Sequence, residues 1–170
     1  PLTEKSISKV IQSLGRSYAQ YYNHIYERTG ALFEGRYRAT IVDSSTYLLD
    51  CYRYIELNPV RSGIVKLPSE YFWSSYRSNA LGVGDNLITP HQKYLSLGKT
   101  DCTRLHYYNQ LFNMPLTNKM VQEISEATNK SWVLGSKIFK QTIEQIINRR
   151  SSPKPRGGDR KSNRWSTKHS

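Results

Sequence analysis

The sequence predicts an α+β fold in which helices predominate and one extended segment follows the first helix. Apolar residues recur about every 3.6 residues after Thr3, a potential N-cap, and Gly30 is a natural stop for this amphipathic helix. The next stretch, residues 31–42, is predicted to be extended because it is rich in strand-forming residues. These are Phe33, Tyr37, Ile41 and Val42.

The apolar stripe of the first helix contains four tyrosines. We expect most of them to pack in a core, because a tyrosine ring carries a large apolar surface. They are Tyr18, Tyr21, Tyr22 and Tyr26.

A second helix is predicted over residues 45–57, with capping groups from Asp43 and Ser44 and an end at Asn58-Pro59. One face carries Leu48, Tyr52 and Ile55. Another face carries Tyr47, Cys51, Tyr54 and Asn58, spaced four, three and four residues apart. Two rows of different chemistry predict one packed side and one side that faces a functional site.

The rest of the chain predicts a linker, four short helices and a basic tail. Residues 73–76 suggest a packed turn, in which we favour Trp73 as a packing anchor over a base-stacking platform. Residues 79–86 suggest a linker. Helices are expected over residues 90–97, 101–112 and 118–128, capped by Thr89, Thr100 and Thr117, and after Ser136. The last should turn Phe139, Ile143, Ile146 and Ile147 inward. The final two helices fit either a DNA-reading helix-turn-helix or an ordinary α-hairpin. We divide the chain into residues 1–80, 81–148 and 149–170.

The charge favours a polyanionic partner, since the chain carries a net +12 and has a pI near 9.8. Residues 149–170 hold eight Lys or Arg and one Asp, a net of +7, which leaves +5 for the rest. Such a tail is typical of a nonspecific phosphate-binding arm or a solvated end, and we expect it to be disordered when free.

Other sequence features bear on the cellular compartment of the protein. Cys51 and Cys102 lie far apart without a CxxC motif, which fits reduced thiols better than a disulfide framework or a zinc site. No apolar run reaches the roughly 18 residues of a membrane span, and no signal peptide is recognisable. The chain begins at Pro1 rather than Met, so we expect a part to be missing upstream.

A phenol at Tyr54 and a carboxamide at Asn58, one helical turn apart, form a candidate catalytic pair. A tyrosine can attack a phosphodiester when the phosphate charge is neutralised, and a divalent metal with an oxygen ligand such as Asn58 can assist. Tyrosines on amphipathic helices are nevertheless usually core residues. The residues alone therefore favour packing.

The chain contains several motifs in a defined order: Ser17-Tyr18, Tyr21-Tyr22-Asn23, Arg28 to Tyr37, Tyr54 to Gly63, and Trp73 to Tyr76. These motifs resemble the REP-associated tyrosine transposases, relatives of the single-tyrosine insertion-sequence transposases in the HUH endonuclease superfamily. The match is dense from Thr3 to about Tyr76. It extends through residues 134–136 and Phe139 to the tail at residues 153–158.

The resemblance implies an antiparallel sheet with packed helices, here without its first strands. It implies that Tyr54 attacks single-stranded DNA, forms a 5′-phosphotyrosine and leaves a 3′-hydroxyl that can later reseal the strand. Asn58 resembles the family's third ligand for Mg²⁺ or Mn²⁺. The implied partner is hairpin DNA of repetitive extragenic palindromes, bound by a monomer or homodimer in the bacterial cytoplasm, associated with the nucleoid.

The main departure from the superfamily is the absence of its His-hydrophobic-His pair. The four histidines, His24, His91, His106 and His169, are each isolated. We expect the pair upstream of Pro1 and predict that this chain alone does not cleave DNA.

Eight cations are candidates for DNA contact, because Arg and Lys bind phosphates and Arg also stacks on bases. They are Arg28, Arg36, Arg38, Arg61, Arg149, Arg150, Lys154 and Arg156. A solvated surface is the alternative for each. Glu34 and Glu56 are expected to pair with neighbouring arginines.

Two other functions fit the sequence. One is a relative that binds DNA hairpins without cutting them. The other is a helical nucleic-acid adaptor, possibly for RNA, whose tail supplies most of the affinity.

Overall fold

A computed structural model describes residues 6–153, and 56% of these residues are helical. The eight α-helices are α1 (Ser6–Ile25), α2 (Leu48–Glu56), α3 (Asn58–Arg61), α4 (Tyr76–Leu81), α5 (Gln92–Leu95), α6 (Asp101–Gln110), α7 (Asn118–Lys130) and α8 (Lys137–Ile147). Two 3-10 turns cover Pro68–Glu70 and Leu111–Asn113. No helix in this part of the chain is long and apolar enough to cross a membrane.

The prediction of an α+β fold with an antiparallel sheet is wrong, because residues 6–153 contain essentially no strand and no sheet. The strand-forming stretch at residues 31–42 makes only one isolated parallel bridge, between Val42 and Leu134. A turn at Gly35, whose φ is +78°, interrupts the stretch. Strand propensity thus has no partner strand here to pair with.

The chain divides into two compact units, up to Ala39 and from Thr40 onward. In the first unit, α1 ends at Ile25, before the predicted stop at Gly30, and has no buried residue. The expectation that its tyrosines form a core is wrong for most of them. Tyr18, Tyr21 and Tyr26 are between 49% and 62% exposed.

The aromatic residues of the first unit contact one another instead. The ring centroids of Tyr22 and Tyr26 are 4.4 Å apart, and Tyr18 lies 6.1 Å from Tyr22 and 6.2 Å from Phe33. These spacings are typical of aromatic pairs. The tyrosines of α1 therefore form a row of contacting rings, joined by Phe33, rather than a buried stripe.

In the second unit, the first core cluster gathers around α4 and α6. Tyr76, Ala80, Tyr94 and Tyr108 are buried in it, and partly buried side chains of α2 pack against them. Tyr94 and Tyr108 meet edge to face with centroids 5.3 Å apart, and the Tyr94 hydroxyl donates to the Asn79 carbonyl at 2.8 Å. These contacts join α2, α4, α5 and α6.

A buried carboxylate lies against this cluster. Glu56, the last residue of α2, is 0% exposed. Its Oε1 accepts from the Ser75 hydroxyl at 2.6 Å and the Asn79 amide at 2.9 Å, and its Oε2 accepts from the Tyr108 hydroxyl at 2.7 Å. The hydrogen-bonding partners of Glu56 are thus neutral groups rather than the neighbouring arginines expected from the sequence.

The second core cluster lies on the other face of α2. Ile124, Ala127 and Leu134 are buried, and Val42, Tyr47, Cys51, Tyr54 and Met120 pack against them. The bridge at Val42 closes this cluster, because Asp43 N donates to Leu134 O at 2.8 Å and Leu134 N donates to Ile41 O at 2.9 Å. Tyr52 of the first row and Tyr47, Cys51 and Tyr54 of the second row are therefore packed, whereas Ile55 and Asn58, at the ends of the rows, are exposed.

The chain after α8 returns to this cluster. Ser151 is 2% exposed, and both its backbone N–H and its hydroxyl donate to Glu144, at 2.7 and 3.0 Å. Its carbonyl accepts from Val133 N at 3.1 Å. The segment up to Pro153 is thereby fixed against α8 and the turn that precedes it.

Three of the predicted helix caps are present. Thr100, Thr117 and Ser136 each accept a backbone N–H of the first turn, at 3.3, 3.2 and 3.1 Å. The caps predicted at Asp43 and Ser44 are wrong, because α2 begins after Tyr47 and has no side-chain capping hydrogen bond. The cap predicted at Thr89 is wrong, because α5 starts later and the Nδ1 of His91 accepts from Lys93 N at 3.0 Å. The predicted cap at Thr3 lies outside the described residues.

The inward face predicted for the last helix is only half correct. Phe139 and Ile143 are partly buried, but Ile146 is 71% and Ile147 42% exposed. The predicted boundaries after residues 80 and 148 remain predictions.

We predict that Glu56→Ala lowers the free energy of unfolding by about 3 kcal/mol, because it leaves buried donors of Ser75, Asn79 and Tyr108 without an acceptor. Urea denaturation followed by circular dichroism measures this loss. Glu126→Ala, at an exposed position of α7, is the control. A loss no larger than that of the control would contradict the role of Glu56.

We also predict a pH dependence of stability from the same residue. Burial raises the pKa of Glu56 above its ordinary 4.5, and the three hydrogen bonds only partly oppose this. A carboxyl whose pKa is raised by folding favours the folded state most below 4.5 and loses that contribution as the pH rises through the folded pKa.

The stability of the wild type should therefore fall relative to that of Glu56→Gln as the pH rises from 4.5 to neutrality. Urea titrations of both proteins across this range test the sign. The subtraction cancels Glu144, whose pKa is lowered by its hydrogen bonds from Ser151. A difference that is independent of pH would contradict the prediction.

Candidate functional site

Tyr54 lies in the last turn of α2 and is half-buried. One side of its ring packs against the second core cluster. The other contact is with Arg61, whose guanidinium carbon lies 4.3 Å from the centroid of the ring. This distance is typical of a cation–π interaction. Tyr54 thus combines a packing role with a position beside an exposed guanidinium group.

The position of Arg61 follows from a break in the helix. The helix predicted over residues 45–57 ends at Glu56, and α3 starts at Asn58 after a single joint residue, Leu57. Pro59 does not end the helical path, because it occupies the first turn of α3, where a missing N–H costs little. The N–H of Arg61 donates to the carbonyl of Leu57 at 2.9 Å, which completes the turn that carries Arg61.

Asn58, the predicted partner of Tyr54, lies at a cavity that Tyr54 does not line. It is exposed and lines a shallow cleft of about 280 Å³. The other lining residues are Ile55, Pro59, Ser62, Ile64, Tyr71, Trp73, Ser74 and Ser75. Tyr54 does not line this cleft, so their spacing of four residues does not bring the two to one cavity.

The prediction that Trp73 anchors a packed turn is wrong, because its side chain is 81% exposed. Its ring meets that of Phe72, itself 62% exposed, edge to face with centroids 4.9 Å apart. The buried residue of this motif is Tyr76. Sequence reasoning missed the cleft, although the two adjacent serines in an aromatic motif were a signal of polar contacts.

The arginine immediately before the Tyr54 motif has a structural role. Arg53 is 8% exposed and pairs with Asp50 at 3.1 Å, and it also donates to the carbonyl of Met114. Its Nε is buried with no hydrogen-bond partner. Arg53 therefore holds α2 to the segment before α7.

The predicted DNA-contacting arginines belong to both units. In the first unit Arg28, Arg36 and Arg38 are exposed, and the guanidinium of Arg28 lies 5.6 Å from the ring centroid of Tyr22. In the second unit Arg61, Arg149 and Arg150 are exposed. Lys154 and Arg156 lie outside the described residues.

The described residues do not complete a magnesium or manganese site. Within residues 6–153 no group of three His, Cys, Asp or Glu side chains could hold a metal, and Asn58 supplies a single oxygen. His91 caps α5, and His106 is hydrogen-bonded to Gln110 at 3.0 Å. His24 is exposed, and His169 lies outside the described part. We therefore derive no step through a metal.

Both cysteines are free thiols, as predicted, but they differ in environment. Cys51, one turn before Tyr54, is partly buried, and burial together with the nearby Asp50 carboxylate raises its pKa to about 11. Cys102 is exposed. Since the thiolate is the reactive form, Cys51 should be unreactive at neutral pH.

We predict that Ellman's reagent modifies Cys51 at least about tenfold more slowly than Cys102 at pH 7.5. At Cys51 the reagent has less access to the sulfur, and a smaller fraction of the thiol is ionised. Cys102→Ser isolates the slow phase, and unfolded protein gives the unprotected rate. Tyr54→Ala should accelerate the slow phase by opening the packed row. Equal rates in the folded protein would show that this face of α2 is open.

Comparison with protein-family models, with curated proteins and with solved structures gave no match to this chain.

Proposed function

We propose that this chain is part of a DNA transposase that binds hairpin-bearing single-stranded DNA and cleaves and rejoins it through Tyr54. The observation that carries the proposal is the guanidinium of Arg61 at 4.3 Å from the centre of the Tyr54 ring. Tyr54 and Arg61 belong to the motif that resembles the REP-associated tyrosine transposases. A cation beside the phenol is what a nucleophile that attacks a phosphodiester requires.

In the proposed reaction, the phenolic oxygen of Tyr54 forms a bond to phosphorus, and the bond from phosphorus to the 3′-oxygen breaks. The phenolic proton is lost and the departing 3′-oxygen gains a proton. A 5′-phosphotyrosine and a 3′-hydroxyl result. Arg61 neutralises charge on the phosphoryl oxygens. Attack by a 3′-hydroxyl on the phosphotyrosine reverses the exchange and reseals a strand.

A second candidate is a relative that binds hairpins without cutting them. Two observations favour it. Tyr54 packs against the second core cluster, as an ordinary core tyrosine would, and Asn58 lines a cleft to which Tyr54 does not contribute. In this case Arg61 serves only to bind phosphate.

The test is a cleavage assay with a 5′-labelled hairpin oligonucleotide that carries single-stranded flanks, in Mg²⁺ or Mn²⁺. We expect the 170-residue chain to bind without cleaving. Extended at its N terminus with the naturally encoded residues to include a His-x-His pair, it should cleave and form a covalent adduct on a denaturing gel. Tyr54→Phe should abolish the adduct. Arg61→Ala should lower its rate of formation at least about tenfold.

Tyr107→Phe is the matched control, because Tyr107 is 50% exposed on α6 and lies outside the motif. Binding without an adduct by the extended protein, across metals and oligonucleotides, would favour the binding-only relative. Equal affinity for an unrelated RNA of the same length would favour the adaptor. Loss of binding when residues 149–170 are deleted would likewise favour the adaptor.

A further inference from the structure

Trp73, the most exposed tryptophan among the described residues, lines the same cleft as Asn58. From this exposed ring we propose that the cleft binds one unpaired nucleobase of a single-stranded DNA segment, stacked on Trp73. The proposal rests on the proposed DNA-binding function and names the place at which an unpaired base is held. It assigns no catalytic role to the cleft.

Contacts of the neighbouring residues hold the segment that carries the exposed Trp73. Phe72 meets the indole ring edge to face, and the guanidinium of Arg77 lies 5.0 Å from the ring centroid of Phe72. On the other side, the hydroxyl of Ser75 donates to the buried carboxylate of Glu56 at 2.6 Å. An aromatic ring presented from so fixed a segment is pre-organised for stacking.

The size and lining of the cleft suit a flat heteroaromatic ring. Its volume of about 280 Å³ lies just below the roughly 300–1,000 Å³ of pockets for drug-sized ligands. Ile55, Pro59 and Ile64 supply apolar wall, and Asn58 offers both an amide donor and a carbonyl acceptor to the edge of a base. Ser74 accepts from Tyr76 N at 3.2 Å, which leaves its hydroxyl proton to donate.

The charge of the chain segment that supplies the cleft residues suits the phosphates on either side of a base. Within residues 55–77 the cations are Arg61, Lys66 and Arg77. The exposed acid of this stretch is Glu70, whose carboxylate already accepts from Lys66 N at 2.8 Å and Leu67 N at 3.1 Å. The other acid, Glu56, is buried. The solvent-facing charge is therefore positive, which complements nucleic acid.

The experiment measures binding of the 170-residue chain to three labelled oligonucleotides by fluorescence anisotropy. The first is a hairpin with a single-stranded flank, the second has the same flank without bases, and the third is the hairpin alone. We expect Trp73→Ala to weaken binding of the first roughly tenfold and to leave the other two unchanged. Trp73→Phe should retain most of the affinity, because it keeps an aromatic face.

A flank that carries 5-bromouracil should crosslink on irradiation to the peptide that contains Trp73, as identified by mass spectrometry. Leu87→Ala is the control variant, because Leu87 is 90% exposed and does not line the cleft.

If the wild type binds the flanked hairpin but Trp73→Ala binds it equally well, the cleft proposal is overturned and DNA binding stands. If the wild type binds no DNA, both proposals fail. If Trp73→Ala instead dissociates a dimer in analytical ultracentrifugation, the surface is an interface between copies and the cleft proposal is overturned.

Discussion

The second unit depends on one buried carboxylate. Glu56 ends α2, and its three donors come from the segment before α4, from α4 itself and from α6. A buried carboxylate without donors would be strongly destabilising, so the arrangement is permitted only when all three elements are in place. The position of α3, which follows Glu56 after one residue, depends on the same contacts. Both the Tyr54–Arg61 pair and the cleft at Trp73 are therefore built on this carboxylate.

The same contacts change how the Tyr54 motif is interpreted. Glu56 of this motif and Arg53, which precedes it, are buried and make hydrogen bonds that hold helices together, whereas Arg61 and Asn58 are exposed. The hydroxyl of Ser75, in the motif from Trp73 to Tyr76, donates a hydrogen bond to Glu56. Buried residues that stabilise the fold and exposed residues of the candidate site thus lie close together in the same short stretch of sequence.

Local features of the structure could be predicted from the sequence and tertiary ones could not. The caps at Thr100, Thr117 and Ser136 depend on atoms a few residues away, and these predictions are confirmed. The strand at residues 31–42 requires a partner strand, which strand propensity does not reveal, and it is absent from the described residues. The segment that carries the exposed Trp73 likewise makes a tertiary contact, because Ser75 donates to Glu56, 19 positions earlier in the chain. For the candidate site, the motif identified the residues, but helical spacing did not reveal that Asn58 and Tyr54 line different surfaces.

The anchoring of Ser151 has a consequence for the basic tail. Because Ser151 is held by Glu144 and Val133, the described part of the chain ends close to a fixed point of the second unit. Groups that are covalently linked to one such point have an effective concentration that does not depend on the amount of protein in solution. The five cations of residues 154–164 follow in the sequence and are linked to the second unit through this point. A change that released Ser151 would therefore alter the attachment of these cations without altering any of them.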